Sequence, residues 1–385
     1  MTPATLERIR RFLREHDPPA PCLVVDTGAV AARVRQFGRE FPRSRLCYAV
    51  KANPEPAVLR AVLAAGGGFD VASPAEIDAC LAAGAEPAAL SYGNTIKKAT
   101  DIAFAHARGV RDFTTDSEGD LAALAEHAPG ASVSVRILVD GPASATPFGQ
   151  KFGCEPDRAA ELLVAAVRLG LDPAGVAFHV GSQQPDPQAW ETGVAAAAKI
   201  FAECAAAGVQ LRRLNLGGGF GVTYREAVPP LESYARTIRA AVRAHFPREP
   251  EVLLEPGRAV VAEAGLIRTE VVLVSTRFGR RWVYLDVGRY NGLAETENEA
   301  IPYRLDPPDR YGPRGPVVIA GPTCDGDDVV YQRTPYELPL SLRAGDRLDI
   351  LDAGAYTASY SSVAFNGIPP LPTYCLEGDT TTHDI

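Results

Sequence analysis

Tyr48-Ala49-Val50-Lys51-Ala52-Asn53-Pro54 sets one lysine directly after a short apolar run of β-forming type, and Gly68-Phe69-Asp70-Val71-Ala72-Ser73 follows about twenty residues on. An amine placed there leaves the carboxyl end of a strand, the end at which α/β proteins carry their chemistry. In apolar surroundings a lysine loses its proton more easily than in water and can form a Schiff base with an aldehyde. Taken alone, the stretch reads first as a surface lysine past a strand. The rest of the chain reverses that reading.

Outward from this stretch, residues 46–257 repeat one unit: an apolar run of four to six residues, a short turn, then an alanine-rich amphipathic stretch. The spacing predicts strands at 46–50, 68–72, 89–92, 112–115, 133–138, 176–180, 214–216 and 252–255. Helices are predicted at 56–65, 74–83, 97–108, 156–169, 188–207 and 231–245, several opened by proline or an acidic residue and closed by glycine. Eight βα units closing on themselves give a (β/α)8 TIM barrel, here over 27–265. An open doubly wound sheet is the structural rival; eight units in about 210 residues without a reversal of order favour the closed form.

Past residue 266 the pattern becomes alternating runs at 266–275, 282–286, 316–320, 329–333 and 347–352, punctuated by glycine and proline. A C-terminal β domain, sandwich or barrel, is expected over 266–385. Residues 21–26 also read as a strand, and the N-terminal segment 1–26 could pair with that domain. The polar, threonine-rich tail at 377–385 is expected to fray.

Composition narrows the function. A length of 385 residues suits two domains. The net charge of −8, with both signs mixed along the chain, leaves no electrostatic footprint for nucleic acid or an anionic membrane and suits a small cationic substrate. Seven scattered cysteines without a CxxC pair argue against a disulfide framework or a zinc site, so no metal is expected and a reducing cytoplasm fits. The charged start through RIRRFLREH lacks an apolar core with a cleavage site, and no eighteen-residue apolar run occurs, so a cytoplasmic, unexported protein is expected.

Laid on the strand map, Lys51, Asp70, Arg136, His179, the triplet Gly217-Gly218-Gly219 and Glu255 all fall at or just past strand carboxyl ends. Singly, each has a plain structural role: Asp70 a helix cap, Arg136 a surface ion pair, His179 a satisfied core residue, Glu255 a solvated charge, the glycines a flexible turn. Together they describe a site. The glycine run exposes backbone N–H groups to a dianion, and Arg258, in Glu255-Pro256-Gly257-Arg258, adds a bidentate donor. An aldehyde-capturing lysine beside a phosphate cradle points to pyridoxal 5′-phosphate, with Glu255 keeping the pyridine nitrogen protonated. In the second domain, Gly321-Pro322-Thr323-Cys324-Asp325-Gly326-Asp327-Asp328 flanks a cysteine with acids, which disfavours the thiolate and suits the thiol to giving a proton. A buried small hydrophobe is the plain alternative for Cys324.

These residues carry a resemblance that covers nearly the whole chain. YAVKANP at 48–54, GFDVAS at 68–73, HVGSQ at 179–183, LGGGF at 216–220, EPGR at 255–258, GPTCD at 321–325, and GAYT with FNG between 354 and 367 resemble the fold type III, alanine-racemase-like decarboxylases of basic amino acids, in particular the bacterial ornithine/lysine decarboxylases. The resemblance implies decarboxylation of L-ornithine to putrescine, and of L-lysine to cadaverine, in polyamine biosynthesis. It implies a head-to-tail homodimer in which each active site is completed by the other subunit. Lys51 would hold the cofactor covalently, His179 would stack on its ring, and Glu255 would pair with the ring nitrogen. Ser182, Gly217, Gly218, Gly219, Gly257, Arg258 and Tyr356 would hold the phosphate, with Asp70 and Arg136 supporting the Lys51 region. From the partner, Cys324 would return the proton and Asp325 would bind the distal ammonium, with Tyr290, Glu299 and Phe365 also lining the substrate. Lys151 would pair with Asp328 across the dimer.

Two positions depart from the family pattern: Asn215, where an aspartate is common, and Gly221, where many eukaryotic members have proline. Neither is expected to touch the chemistry. The run GGGFG is also similar to diaminopimelate decarboxylases, the nearest rival, although their loop carries Cys-Glu-Ser where this chain has Cys324-Asp325-Gly326. An amino-acid racemase ranks third because it lacks GPTCD, and a catalytically silent regulator of the same fold conflicts with the intact Lys51, Glu255 and Cys324.

Overall fold

In the computed structural model, which describes residues 1–139, 143–146 and 149–377, a helix, Pro3–His16, precedes strand β1, Cys22–Asp26. Eight strands follow, alternating with helices: β2 Ser44–Ala49, β3 Gly68–Val71, β4 Leu90–Tyr92, β5 Asp112–Thr115, β6 Ser132–Arg136, β7 Asp172–Ala177, β8 Arg213–Asn215 and β9 Glu251–Leu254. All their pairings are parallel, and β9 returns to pair with β2 through Ser44↔Val252 and Leu46↔Leu254, so the sheet closes into a TIM barrel. Helix starts follow local chemistry. Ser73 accepts the Glu76 N–H while the Glu76 carboxylate accepts the Ala72 N–H at 2.7 Å, a reciprocal cap that starts helix Pro74–Ala82 directly after β3.

The strand expected at 176–180 instead runs over Asp172–Ala177. Asp172-Pro173-Ala174-Gly175 has the composition of a turn, yet it pairs with β6 across a register irregularity between Val133 and Ser134, which tolerates the proline. Phe178, His179 and Val180 are thereby released into the loop above the barrel.

The remaining strands are β10 Gly265–Arg277, β11 Arg280–Leu285, β12 Arg304–Asp306, β13 Arg314–Ala320, β14 Val329–Pro339, β15 Arg347–Leu351 and β16 Thr373–Leu376. They form a mixed sheet in the order β12-β15-β10-β11-β13-β14, so a β domain follows the barrel. β1 joins this sheet, antiparallel to β10 and parallel to β16. An irregularity between Val271 and Leu273 divides β10 into a first half paired with β15 and a second half paired with β11.

By compactness the chain divides into one unit of Met1–Val30, Val222–Ala227 and Val260–Ile385, and another of Ala31–Gly221 and Val228–Ala259. The first has its own core: Ile9 and Leu13, one turn apart on the initial helix, pack with Cys22, Val24, Leu266 and Leu351. That helix was not evident from its charge alternation, which masks the 3.6-residue spacing of Leu6, Ile9 and Leu13. The strands β12 and β16 are also absent from the sequence reading, being short and only half-buried. Of the tail expected to fray, residues 378–385 lie outside the described residues. Among the described residues no helix is long and apolar enough to cross a membrane.

Candidate active site

The barrel's carboxyl end receives the polar residues in turn. Lys51 lies in the helical turn Val50–Ala52 just past β2, and Asp70 lies in β3. Arg136 ends β6, His179 follows β7, the glycine triplet follows β8, and Glu255 is the residue after β9. The setting of Lys51 differs from the apolar one read from sequence. Its side chain is exposed, and its charge acts on Asp70, Glu76, Glu255 and His179. Charged and titratable groups at the strand ends therefore lie within electrostatic reach of the amine.

Burial pushes the Glu255 carboxyl above its ordinary range, opposed by a hydrogen bond from Asn215 and by the charges of Arg136 and Lys51. Burial also drives the Asp70 carboxyl well upward, reinforced by Glu255 and opposed by Lys51 and Arg136. Gly93 leaves room for Asp70: a Cβ there would lie 2.2 Å from Asp70 Oδ1. His179 goes the other way, its burial and the charges of Arg136 and Lys51 lowering its pKa well below 6.5. Its Nδ1 accepts the Gly181 N–H at 3.0 Å, so the ring is neutral with its proton on Nε2. A neutral imidazole can lie flat against an aromatic cofactor without adding charge.

The glycine triplet packs tightly on neighbouring strand ends. An added Cβ would come 2.4 Å from the Phe178 carbonyl oxygen at Gly217, 2.5 Å from that of Glu255 at Gly218, and 2.5 Å from that of Gly181 at Gly219. Gly217 and Gly219 also have φ of 65° and 97°, which favours glycine. Beside Gly181, Ser182 Oγ accepts from Arg258 Nη2 at 3.2 Å, and this guanidinium is buried, as is Gly257. A cradle that only glycine fills, with a buried cation next to it, fits a phosphate dianion; with Lys51 and Glu255 on the same barrel end, the residues fit pyridoxal 5′-phosphate.

The β unit assembles a second cluster. Cys324 Sγ donates to Asn366 Oδ1 at 3.5 Å, and the Cys324 N–H reaches the same oxygen at 3.3 Å. Tyr290 hydrogen-bonds Asp325 and stacks on Phe365 with ring centroids 4.5 Å apart. Cys324, Asp325, Tyr290 and Phe365 are therefore brought together, and Cys324 is exposed, in contrast to the buried hydrophobe that its alternative reading required. Tyr356 belongs to this unit, past β15, with a left-handed φ of 61°.

Glu299 and Asp328 are engaged within their own chain. Glu299 accepts the backbone N–H groups of Gln332, Arg333 and Thr334 at 2.9, 2.8 and 2.6 Å. Burial alone would raise its pKa, but the bonds from Thr334, Arg333 and Gln332 bring it down to about 2. Asp328, 2% exposed, accepts from the Arg289 N–H and from both the N–H and hydroxyl of Thr323. Lys151 is exposed, its ammonium 4.9 Å from the Phe152 ring centre, and Arg136 also lies against that ring.

Sequence reasoning passed over two asparagines. Asn366 lay within the FNG motif without a role. Asn215 was expected not to touch the chemistry, and this is corrected: its Nδ2 donates to Glu255 Oε1 at 2.6 Å. A departure from a family pattern at a strand end was the available signal.

Fold and site define a (β/α)8 barrel carrying a lysine and a glycine cradle at its carboxyl end, followed by a β domain. Residues 27–262 match the family model of the pyridoxal-dependent decarboxylases, pyridoxal binding domain. The chain is 33% identical over 360 residues to the lysine/ornithine decarboxylase of Selenomonas ruminantium, covering 93% of this chain and 90% of that one. It superposes on the Vibrio vulnificus lysine/ornithine decarboxylase complexed with putrescine with a TM-score of 0.87 at 28% identity, covering 98% and 99% of the two chains. The arginine decarboxylase of Paramecium bursaria Chlorella virus bound to agmatine gives a TM-score of 0.87 at 28% identity, covering 96% and 100%. The chain belongs to the pyridoxal-dependent decarboxylase family, and its cofactor is pyridoxal 5′-phosphate.

Proposed function

We propose that this protein decarboxylates a basic amino acid, L-ornithine to putrescine and L-lysine to cadaverine, in polyamine synthesis in the cytoplasm. The observation that carries the reading is the strand-end cluster of Lys51, Glu255, neutral His179 and the glycine cradle with Arg258. The names of its relatives support the diamine branch over diaminopimelate decarboxylation.

Bound pyridoxal 5′-phosphate supplies the electron sink for the pair released when the Cα–carboxylate bond breaks. Lys51 would hold the cofactor through its Nζ. Glu255 would accept the hydrogen bond of the protonated ring nitrogen, and His179 would pack against the ring. Arg258, Ser182 and the turn at Gly217, Gly218 and Gly219, with Gly257, would hold the phosphate, to which the family resemblance also assigns Tyr356; Asp70 and Arg136 would orient Lys51. Cys324 returns a proton to the α-carbon from its Sγ, clamped at Asn366. Asp325, with Tyr290 and Phe365, receives the substrate's distal ammonium, and a substrate without one leaves a desolvated carboxylate unpaired.

The second cluster serves the reaction from a partner subunit of a homodimer. Supporting this, the loop that bears Asn366 exposes Tyr360, Val363 and Phe365, an apolar surface suited to a second copy. With Glu299 holding β14, Asp325 is the acid assigned to the amine. Asp328 would meet Lys151 of the partner only while keeping its bonds to Arg289 and Thr323.

The test is to incubate the purified protein and pyridoxal 5′-phosphate with equimolar L-ornithine, L-lysine, L-arginine and meso-diaminopimelate, and identify products by mass. Putrescine and cadaverine are expected, and because one methylene discriminates only about 10- to 200-fold, both should form. Lysine accumulating from diaminopimelate, agmatine alone, or no product from an intact protein would contradict the reading.

A further inference from the structure

Asn215 ends β8 two residues before the glycine triplet, and its carboxamide is fixed on both sides. Oδ1 accepts the Gly217 N–H at 2.9 Å while Nδ2 donates to Glu255 Oε1 at 2.6 Å. A backbone N–H can only donate, so the amide cannot turn over without setting donor against donor. The group it offers Glu255 is therefore always an N–H, and a donor binds an ionised carboxylate more strongly than a neutral acid. At 3% exposure, Asn215 makes this bond with little competition from water.

We propose that Asn215 is a positioning residue that holds Glu255 as an ionised acceptor, extending to lower pH the range over which this carboxylate keeps the cofactor's ring nitrogen protonated. The inference rests on the role given to Glu255 above and deepens it. An aspartate at 215 would keep the Gly217 contact but turn an oxygen toward Glu255 Oε1. Two carboxylates at that distance cannot both ionise, so the pair would retain one proton to higher pH. The other groups whose charge reaches Glu255 or that lie beside it are Arg45, Cys47 and Lys51 from β2 and its following turn, with Arg45 at the far end of that strand, Asp70 from β3, Arg136 from β6 and the neutral His179 past β7. None is altered by a substitution at 215, so a shift in Glu255 reports on Asn215.

The experiment compares wild type, Asn215→Asp and Asn215→Ala. In protein freed of cofactor, the carboxyl carbon shift of ¹³C-labelled Glu255 is followed against pH. In the loaded enzymes, the acid limb of kcat/KM is recorded. The Glu255 midpoint should rise in both variants, and the acid limb should move up with it. Asn215→Ala adds no charge, so it gives the reading if Asn215→Asp does not fold. A Glu255 midpoint unchanged from wild type overturns the proposal. Glu255→Gln separates the two levels of the argument: full turnover in that variant overturns the role of Glu255 itself, whereas an inactive Glu255→Gln with unshifted Asn215 variants overturns only the inference.

Discussion

Both ends of the barrel gather charge, and they arrange it differently. At the amino end, the first residues of the strands neutralise one another directly: Asp112 of β5 meets Arg45 of β2 at 2.6 Å and Arg213 of β8 at 3.0 Å, and Arg213 meets Glu251 of β9 at 3.5 Å. At the carboxyl end, Asp70 and Glu255 have their ionisation opposed by burial, and His179 is kept neutral. Matched pairs serve stability; carboxyls and an imidazole whose charge states are pushed from their usual values serve chemistry. The same parallel scaffold thus separates the two uses by strand polarity.

The strongest way to break this comparison is to remove Asp112. Asp112→Ala leaves the largely buried Arg213 and half-buried Arg45 without their shared carboxylate. It should cost about 3 kcal/mol in urea unfolding, with turnover per folded molecule unchanged. A loss of turnover at unchanged stability would mean that the amino end takes part in the chemistry.

Glu299 sharpens the comparison with a carboxylate of the opposite kind. Its pKa is brought from 4.5 down to about 2, so its share of stability is complete above pH 4.5 and disappears as pH falls toward 2. Glu299→Gln should be less stable by about 1–2 kcal/mol at pH 7. The gap to wild type should close as the pH is lowered through that window. A gap that persists at low pH would show that shape, not charge, holds β14.

The barrel and its strand-end residues were legible because the polar positions interrupt a repeating apolar pattern: Lys51 follows the run at 46–50, and Glu255 closes the one at 252–255. β7 was displaced because Pro173 and Gly175 signal a turn locally while tertiary pairing across a bulge keeps them in the sheet. The grouping of Cys324, Asp325, Tyr290 and Phe365 came only from the family resemblance, since loops without a period carry no spatial address. Contacts between distant residues were illegible: nothing in the sequence says that Asn215 meets Glu255, that Asn366 meets Cys324, or that Glu299 turns onto β14.

The most direct test of the account is to reduce the loaded protein with borohydride, digest it and locate the cofactor's mass on a peptide. The account predicts a single labelled lysine, Lys51, and predicts that Lys51→Ala carries no label and loses about 10²- to 10⁴-fold in turnover while unfolding at the wild-type midpoint. Label on any other lysine, or turnover at the wild-type rate in Lys51→Ala, would contradict it.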